Sequence, residues 1–264
     1  MREAGDTDLV VSGLSAGYRH RPVVRDLTLA PFRAGQVTAL VGPNAAGKST
    51  LLRALSGLIP ARGAVRLGGE DLLRLPRARR AAIVGFMPQA LPQGVALSVI
   101  ETVIAALRAV PGAAPLPGAA ARARAAALLV EMGIGALALE PIDRLSGGQR
   151  QLVSLAQAVV GEPRVLLLDE PTSALDLRHQ AVVMGLLRRL AREGRVVAVV
   201  LHDLALAARY ADHVVVLDKG ACAAQGTPEA AITPRVLAQV YGVEARVETC
   251  SQGRLQVMVD APLA

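Results

Sequence analysis

The segment Gly42-Pro43-Asn44-Ala45-Ala46-Gly47-Lys48-Ser49 constrains this chain more than any other. It satisfies the spacing G-x-x-x-x-G-K-[ST] and follows the apolar run Val37–Val41. A helix is expected from Ser49 and Thr50 onward, with Leu51, Leu52, Leu55, Leu58 and Ile59 on one side and Gly57 near its end. Strand, glycine loop and helix N-terminus in that order make a concave anion site. Backbone N–H groups turn inward, and the helix end carries a partial positive charge. Lys48 adds a full charge suited to the β- and γ-phosphates of a nucleotide, and the Ser49 hydroxyl suits Mg²⁺. A chance glycine turn would not bring both flanking elements with it.

A second acidic element is expected at the same edge. Val165–Leu168 is continuously apolar and ends in Asp169-Glu170. A strand buried on both faces carries these two carboxylates at its tip. Asp169 is then suited to Mg²⁺ through water, since that ion keeps much of its hydration. Glu170 is suited to orienting and polarising a water molecule. Taken alone, the pair could be two solvent-facing acids; the phosphate loop upstream argues against that.

The remaining elements read as an α/β chain with a helical interruption. Strands are expected at Leu9–Leu14, Asp26–Leu29, Ala64–Leu67, Ala82–Met87, Val196–Leu201 and Val214–Leu217, and helices at Leu175–Glu193 and Leu204–Ala211. From Ser98 to about Val160 the chain is Ala-rich and helical, with a Pro- and Gly-rich loop at Pro111–Gly118. Two short helical pieces and two strands, Ala245–Thr249 and Leu255–Val259, are expected after Thr227.

Because 52% of the chain is hydrophobic, a membrane span has to be tested. The longest uncharged stretch, Ala81–Ile100, holds Pro88, Gln89, Pro92, Gln93 and Gly94, a poor bilayer helix. Met1–Asp8 carries charges and no apolar core, so no signal peptide is expected. The formal net charge is +7, compatible with a nucleotide, nucleic acid or acidic lipid. The basic residues are scattered, however, and the clusters Arg77, Arg79, Arg80 and Arg188, Arg189, Arg192 read as solvated helix faces. Cys222 and Cys250 have no C-x-x-C spacing and make neither a disulfide framework nor a zinc site; a single bridge between them is the alternative to two free thiols.

Leu145-Ser146-Gly147-Gly148-Gln149 narrows the reading. The pentad opens a helix whose apolar stripe is Leu152, Leu155, Ala156, Val159 and Val160, and its N–H groups stand free at a positive helix end as a second phosphate site. This pentad matches the signature of ABC ATPases, and the chain resembles that family over essentially its whole length from Leu9. Tyr18 looks like the aromatic that stacks on adenine, with a core role as the alternative. Gln89 resembles the Q-loop glutamine that contacts Mg²⁺ or water; Ser173-Ala174-Leu175-Asp176 resembles the D-loop; His202, after a strand, resembles the histidine that senses the γ-phosphate. His20, His179 and His213 fall in no motif and read as structural. The family usually has Gly at position 45. If that position needs a positive φ, Ala costs about 1 kcal/mol there.

The resemblance implies an ABC-type nucleotide-binding domain of the P-loop NTPase class. It would have a RecA-like core with an antiparallel β subdomain (8–89 and 161–225), an inserted α-helical subdomain (90–160) and a C-terminal extension (226–264). It further implies ATP and Mg²⁺ as ligands and Glu170, His202 and Gln89 as catalytic residues. The nucleotide would be held by Tyr18, residues 42–50, Ser146–Gln149 and Asp176, and the metal by Ser49, Gln89 and Asp169. Two such subunits would pair head to tail beneath two transmembrane permease subunits, on the cytoplasmic face of the inner membrane, with a periplasmic or lipoprotein substrate-binding protein in the complex and no nucleic acid. The stretches Pro171–Gln180 and Thr233–Val243 resemble ATPases of iron–siderophore, haem and vitamin B12 importers, ferric-siderophore first. Another cargo is the first alternative. A non-transport ABC protein acting on nucleic acid fits poorly with one cassette, and a P-loop kinase leaves the pentad and His202 unexplained.

Overall fold

A computed structural model describes residues 5–18, 21–89 and 97–263. His20, Pro92, Gln93, Gly94 and the first four residues, all weighed above, lie outside the described residues. In chain order the elements begin β1 (Leu9–Tyr18), β2 (Arg21–Leu27), β3 (Val37–Val41), α1 (Lys48–Ser56), β4 (Ala61–Leu67), β5 (Glu70–Asp71), α2 (Arg77–Ile83) and β6 (Val84–Met87). There follow α3 (Val99–Arg108), α4 (Gly118–Glu131), α5 (Gly147–Val160), β7 (Val165–Asp169), α6 (Leu177–Arg192), β8 (Val196–Val200) and α7 (Leu204–Tyr210). The chain ends with β9 (His213–Asp218), β10 (Ala221–Gly226), α8 (Pro228–Ala231), α9 (Pro234–Tyr241), β11 (Val243–Thr249) and β12 (Leu255–Pro262).

The continuous apolar runs form the centre of a six-stranded sheet ordered β10-β9-β3-β8-β7-β6. All neighbouring pairs are parallel except the hairpin β9–β10. Every residue of β3, β7 and β8 is buried, as strands covered on both faces must be. Alternation divides them between two cores. Val37, Ala39, Val41, Leu166 and Leu168 pack with α3 to α7, while Leu40, Val165 and Leu167 pack with α1 and the antiparallel sheet β2-β1-β4-β5. The fold is thus the expected P-loop α/β core with an antiparallel β sheet and inserted helices. Among the described residues no helix is long and apolar enough to cross a membrane.

Several expected boundaries shift, each for a physical reason. β1 runs past Leu14 to Tyr18, because an irregularity between Ser12 and Ser15, with Gly13 at φ 59°, lets pairing resume. The second strand is Arg21–Leu27 rather than Asp26–Leu29; it is an edge strand, where Pro22 is tolerated. Ala82 and Ile83 belong to α2, not to a strand, and β6 starts at Val84. Leu58 is 53% exposed because α1 stops at Gly57, a left-handed C-cap. Arg77 and Arg79 are exposed, but the Arg80 guanidinium tucks inward and donates to Leu72 O (3.2 Å) and Gly57 O (3.4 Å). β10 was invisible in its Ala-rich sequence; the turn Lys219-Gly220, with φ of 45° and 82°, folds it back on β9. Cys222 and Cys250 are free thiols.

Candidate functional site

β3, β8, β7 and β6 are adjacent and parallel, so their C-terminal ends share one edge. The Gly42 loop, His202, Asp169-Glu170 and Gln89 leave from that edge, the place where open α/β sheets bind ligands. Asn44 to Thr50, Gln89, Glu170, His202 and Val23 line one cleft of about 670 Å³.

The loop needs its glycines for different reasons. At Gly42, φ is 145° and an added Cβ would stand 2.1 Å from Leu217 O, so only glycine lets the loop leave the sheet. Gly47 (φ 103°) is the left-handed N-cap of α1. Ala45 adopts φ 63° with its side chain exposed; the position does require a positive φ, and alanine carries the strain. Lys48 is 5% exposed, and its Nζ donates to Gly42 O (2.6 Å) and Pro43 O (2.9 Å), bracing the curve of the loop. Burial lowers its pKa, partly opposed by the charges of Glu170 and Asp169.

Ser49 Oγ donates to Asp169 Oδ1 (2.8 Å), tying α1 to the tip of β7. Asp169 is wholly buried, and its Oδ2 has no hydrogen-bond partner among the described residues. Burial raises its pKa most; the Ser49 hydrogen bond opposes, and Glu170 adds to the rise. A buried carboxylate oxygen left bare beside a serine hydroxyl fits a hard cation such as Mg²⁺. Among the described residues no cluster of three or more His, Cys, Asp or Glu could hold a metal, so such an ion would draw its other ligands from phosphate and water.

Glu170 is the most constrained acid. Its φ is 56°, a left-handed conformation costing about 1–2 kcal/mol for an L-residue. Gln89 Nε2 donates to Oε2 (2.9 Å), and His202 Nε2 meets Oε1 at 2.5 Å. Two sequence-distant groups, Gln89 and His202, therefore converge on one carboxylate facing the cleft. Its carbonyl accepts from the Gln151 amide and from Ser173 Oγ (3.2 Å). Sequence reasoning passed over Gln151. The available signal was a glutamine three residues after Gly148, on the face of α5 that turns inward.

The other expected residues stand apart from the cleft. Ser146 and Gln149 form a capping box: Ser146 Oγ accepts from Gln149 N (3.2 Å) and Gln149 Oε1 from Ser146 N (2.8 Å). The expectation that Ser146 and both glycines leave their amides free is therefore narrowed to Gly147 and Gly148. An added Cβ at Gly147 would meet nothing within 4 Å, whereas one at Gly148 would stand 2.6 Å from Ala174 O. Asp176 caps α6, its Oδ1 accepting from His179 N (2.8 Å) and facing His179 Nδ1 (2.9 Å). Tyr18 is 42% exposed, and its hydroxyl accepts from Arg53 Nη1 (3.0 Å).

A braced glycine loop on a central parallel strand, with paired acids on a neighbouring strand, defines a P-loop nucleotide-hydrolysing enzyme. The sequence model of the ABC transporter family matches residues 25–173, and the chain belongs to that family; it is an ABC ATPase. It is 42% identical over 250 residues to the hemin import ATP-binding protein HmuV of Pseudomonas entomophila, covering 91% of this chain and 94% of that one. The protein of the same name from Thermobifida fusca is 38% identical over 261 residues, covering 98% and 90%. Among solved structures, a metal-chelate type ABC transporter in an inward-facing conformation is similar at TM-score 0.78 and 26% identity, covering 96% of this chain and 97% of that one. A dimeric ATP-binding cassette in a post-hydrolysis state with ADP and Pi is similar at TM-score 0.76 and 26% identity, covering 83% and 98%.

Proposed function

We propose that this chain is the ATP-hydrolysing subunit of a bacterial importer of an iron complex, with haem as the cargo class. The observation that carries the enzymatic half is the convergence of Gln89 and His202 on Glu170 across the cleft from Lys48 and Ser49. The cargo rests on the hemin-import relatives, which match nearly full length on both sides. A ferric siderophore is the second reading, since the stretches Pro171–Gln180 and Thr233–Val243 resemble siderophore, haem and vitamin B12 importer ATPases alike.

In this reading Lys48 exchanges its loop carbonyls for the β- and γ-phosphate oxygens of ATP, and the loop amides from Ala45 to Thr50 complete the cradle. Ser49 and Asp169, with Gln89 beside them, would hold Mg²⁺. The ion, when bound, neutralises phosphate charge. Glu170 orients and polarises the attacking water, and His202 swings from Glu170 to the γ-phosphate. Asn44, Gly42 and Pro43 shape the loop, and Tyr18 offers a ring for adenine. The Gly147 and Gly148 amides, with Ser146, Gln149 and Asp176, face the nucleotide of a second copy in a head-to-tail homodimer.

That dimer would sit at the cytoplasmic face of the inner membrane, under two permease subunits that receive a substrate-binding protein from the other side. Residues 8–89 and 161–225 would act as the catalytic core, 90–160 as the helical subdomain and 226–264 as an extension. The test is growth and radiolabelled uptake in a strain lacking this chain, with haem or a ferric siderophore as the iron source, rescued by wild type or by Glu170→Gln. Rescue of haem use by wild type alone supports the reading. Rescue only of siderophore use moves the cargo to the second reading, and uptake independent of the chain rejects both.

A further inference from the structure

Gln151 lies on α5, one helical turn beyond Gly148, and is 7% exposed. Its side chain is spent entirely on one loop. Nε2 donates to Glu170 O and to Ser173 Oγ (3.1 Å), and Oε1 accepts from Ala174 N (2.9 Å). A fully bonded buried amide of this kind fixes geometry, because any shift leaves polar groups unpaired. Gly148, on the same helix face, brings α5 so close to Ala174 that no Cβ fits between them. The same helix opens with the Ser146 capping box, followed by Gly147 and Gly148. One helical turn therefore joins the Ser146-capped end of α5 to the backbone of the acid at the tip of β7.

We propose that Gln151 is a positioning residue for ATP hydrolysis: from inside α5 it holds the left-handed backbone of Glu170 and the turn at Ser173-Ala174, so that a shift at the Ser146–Gly148 end is felt at the Glu170 carboxylate. The proposal rests on the reading of Glu170 as the hydrolytic residue. Left-handed backbone at a residue other than glycine persists only where its surroundings over-determine it, and Gln151 supplies a large part of that constraint. Gln151 is spent on the loop and is not among the residues lining the cleft, so the prediction separates turnover from binding.

The full chain is assayed as wild type, Gln151→Met and Gln151→Glu at pH 8. Methionine keeps the volume and removes all three hydrogen bonds. Glutamate keeps the acceptor for Ala174 N and loses the donors to Glu170 O. Turnover is expressed per site that binds a fluorescent ATP analogue, which corrects for any unfolded fraction. The expected result is a kcat at least fivefold lower in both variants, with KM and analogue affinity within twofold of wild type. A smaller loss of kcat, a loss carried by KM, or normal turnover in Gln151→Glu would overturn the proposal. Glu170→Gln is run beside them. If it turns over like wild type, the reading of Glu170 falls first; if it is inactive and the Gln151 variants are not, only the positioning role falls.

Discussion

Ala45 offers the sharpest test of how this loop is built. Its φ of 63° places an L-residue in the left-handed region, and its Cβ is exposed, so the methyl group contributes no packing. Left-handed backbone costs about 1–2 kcal/mol for a residue with a Cβ. Replacing it with glycine removes that cost but adds about 0.5–1 kcal/mol of unfolded-chain entropy. The difference is a net stabilisation of about 0.5 kcal/mol, or a rise in Tm of ~1–2 °C for a chain of this size. Ala45→Val runs the other way, because a β-branched side chain is far less tolerated at positive φ. Nucleotide affinity should change less than tenfold in Ala45→Gly, since the loop already holds the conformation in which its amides point inward. Urea denaturation at constant slope gives the stability change, and titration calorimetry with ATP gives the affinity. Destabilisation of Ala45→Gly by 0.5 kcal/mol or more would mean that position 45 is not left-handed in solution. A tenfold or larger affinity change would mean that the loop's shape depends on the Ala45 methyl.

Three further outcomes are expected. Lys48→Ala should abolish tight ATP binding, because among the described residues no other Lys or Arg lines the cleft; micromolar affinity by calorimetry would contradict its role. Glu170→Gln should bind ATP without turning it over and elute as an ATP-dependent dimer on size-exclusion chromatography, and wild-type turnover would remove Glu170 from hydrolysis. His213, whose Nε2 is buried without a hydrogen-bond partner among the described residues, has its pKa lowered by burial and then by Arg33. Its folded pKa lies below the unfolded value of about 6.5, so the unfolded chain binds more protons in between. Stability is therefore full above that value and declines as pH falls through it toward the folded pKa. Urea midpoints between pH 8 and pH 5 should fall less steeply in His213→Gln, and equal slopes would refute the assignment.

What was legible in the sequence shares one property: the residue types are dictated locally. Gly42, Gly47, Lys48 and Ser49 each answer to a backbone angle, a charge or a hydroxyl needed at that point of a strand–loop–helix turn. The apolar runs of β3, β7 and β8 announce burial on both faces without reference to anything distant. Elements whose stability comes from a remote partner were hidden. β2 carries Pro22 and two arginines yet pairs along β1, and β10 has weak strand formers held by β9 through a two-residue turn. Arg80 sits in a run of arginines and looks solvated; only the folded chain brings the Gly57 and Leu72 carbonyls to it.

The site divides along the same line. Asp169 and Glu170 could be read from a strand end, but the sequence could not say that Asp169 would keep one bare buried oxygen or that Glu170 would stand at positive φ. Nor could it say that Asp176 would serve as the cap of α6, since an aspartate before a helix and an aspartate facing a nucleotide look alike in a motif. Gln151 is the clearest instance. In sequence it is a polar residue on a helix with an apolar stripe; in the fold its amide makes three hydrogen bonds to the loop after β7. Motifs name groups that meet ligands, whereas groups that hold those groups are defined by register between α5 and the loop after β7. That register exists only once Gly148 and Ala174 touch, which is why Gln151 stands out in the fold and not in the sequence.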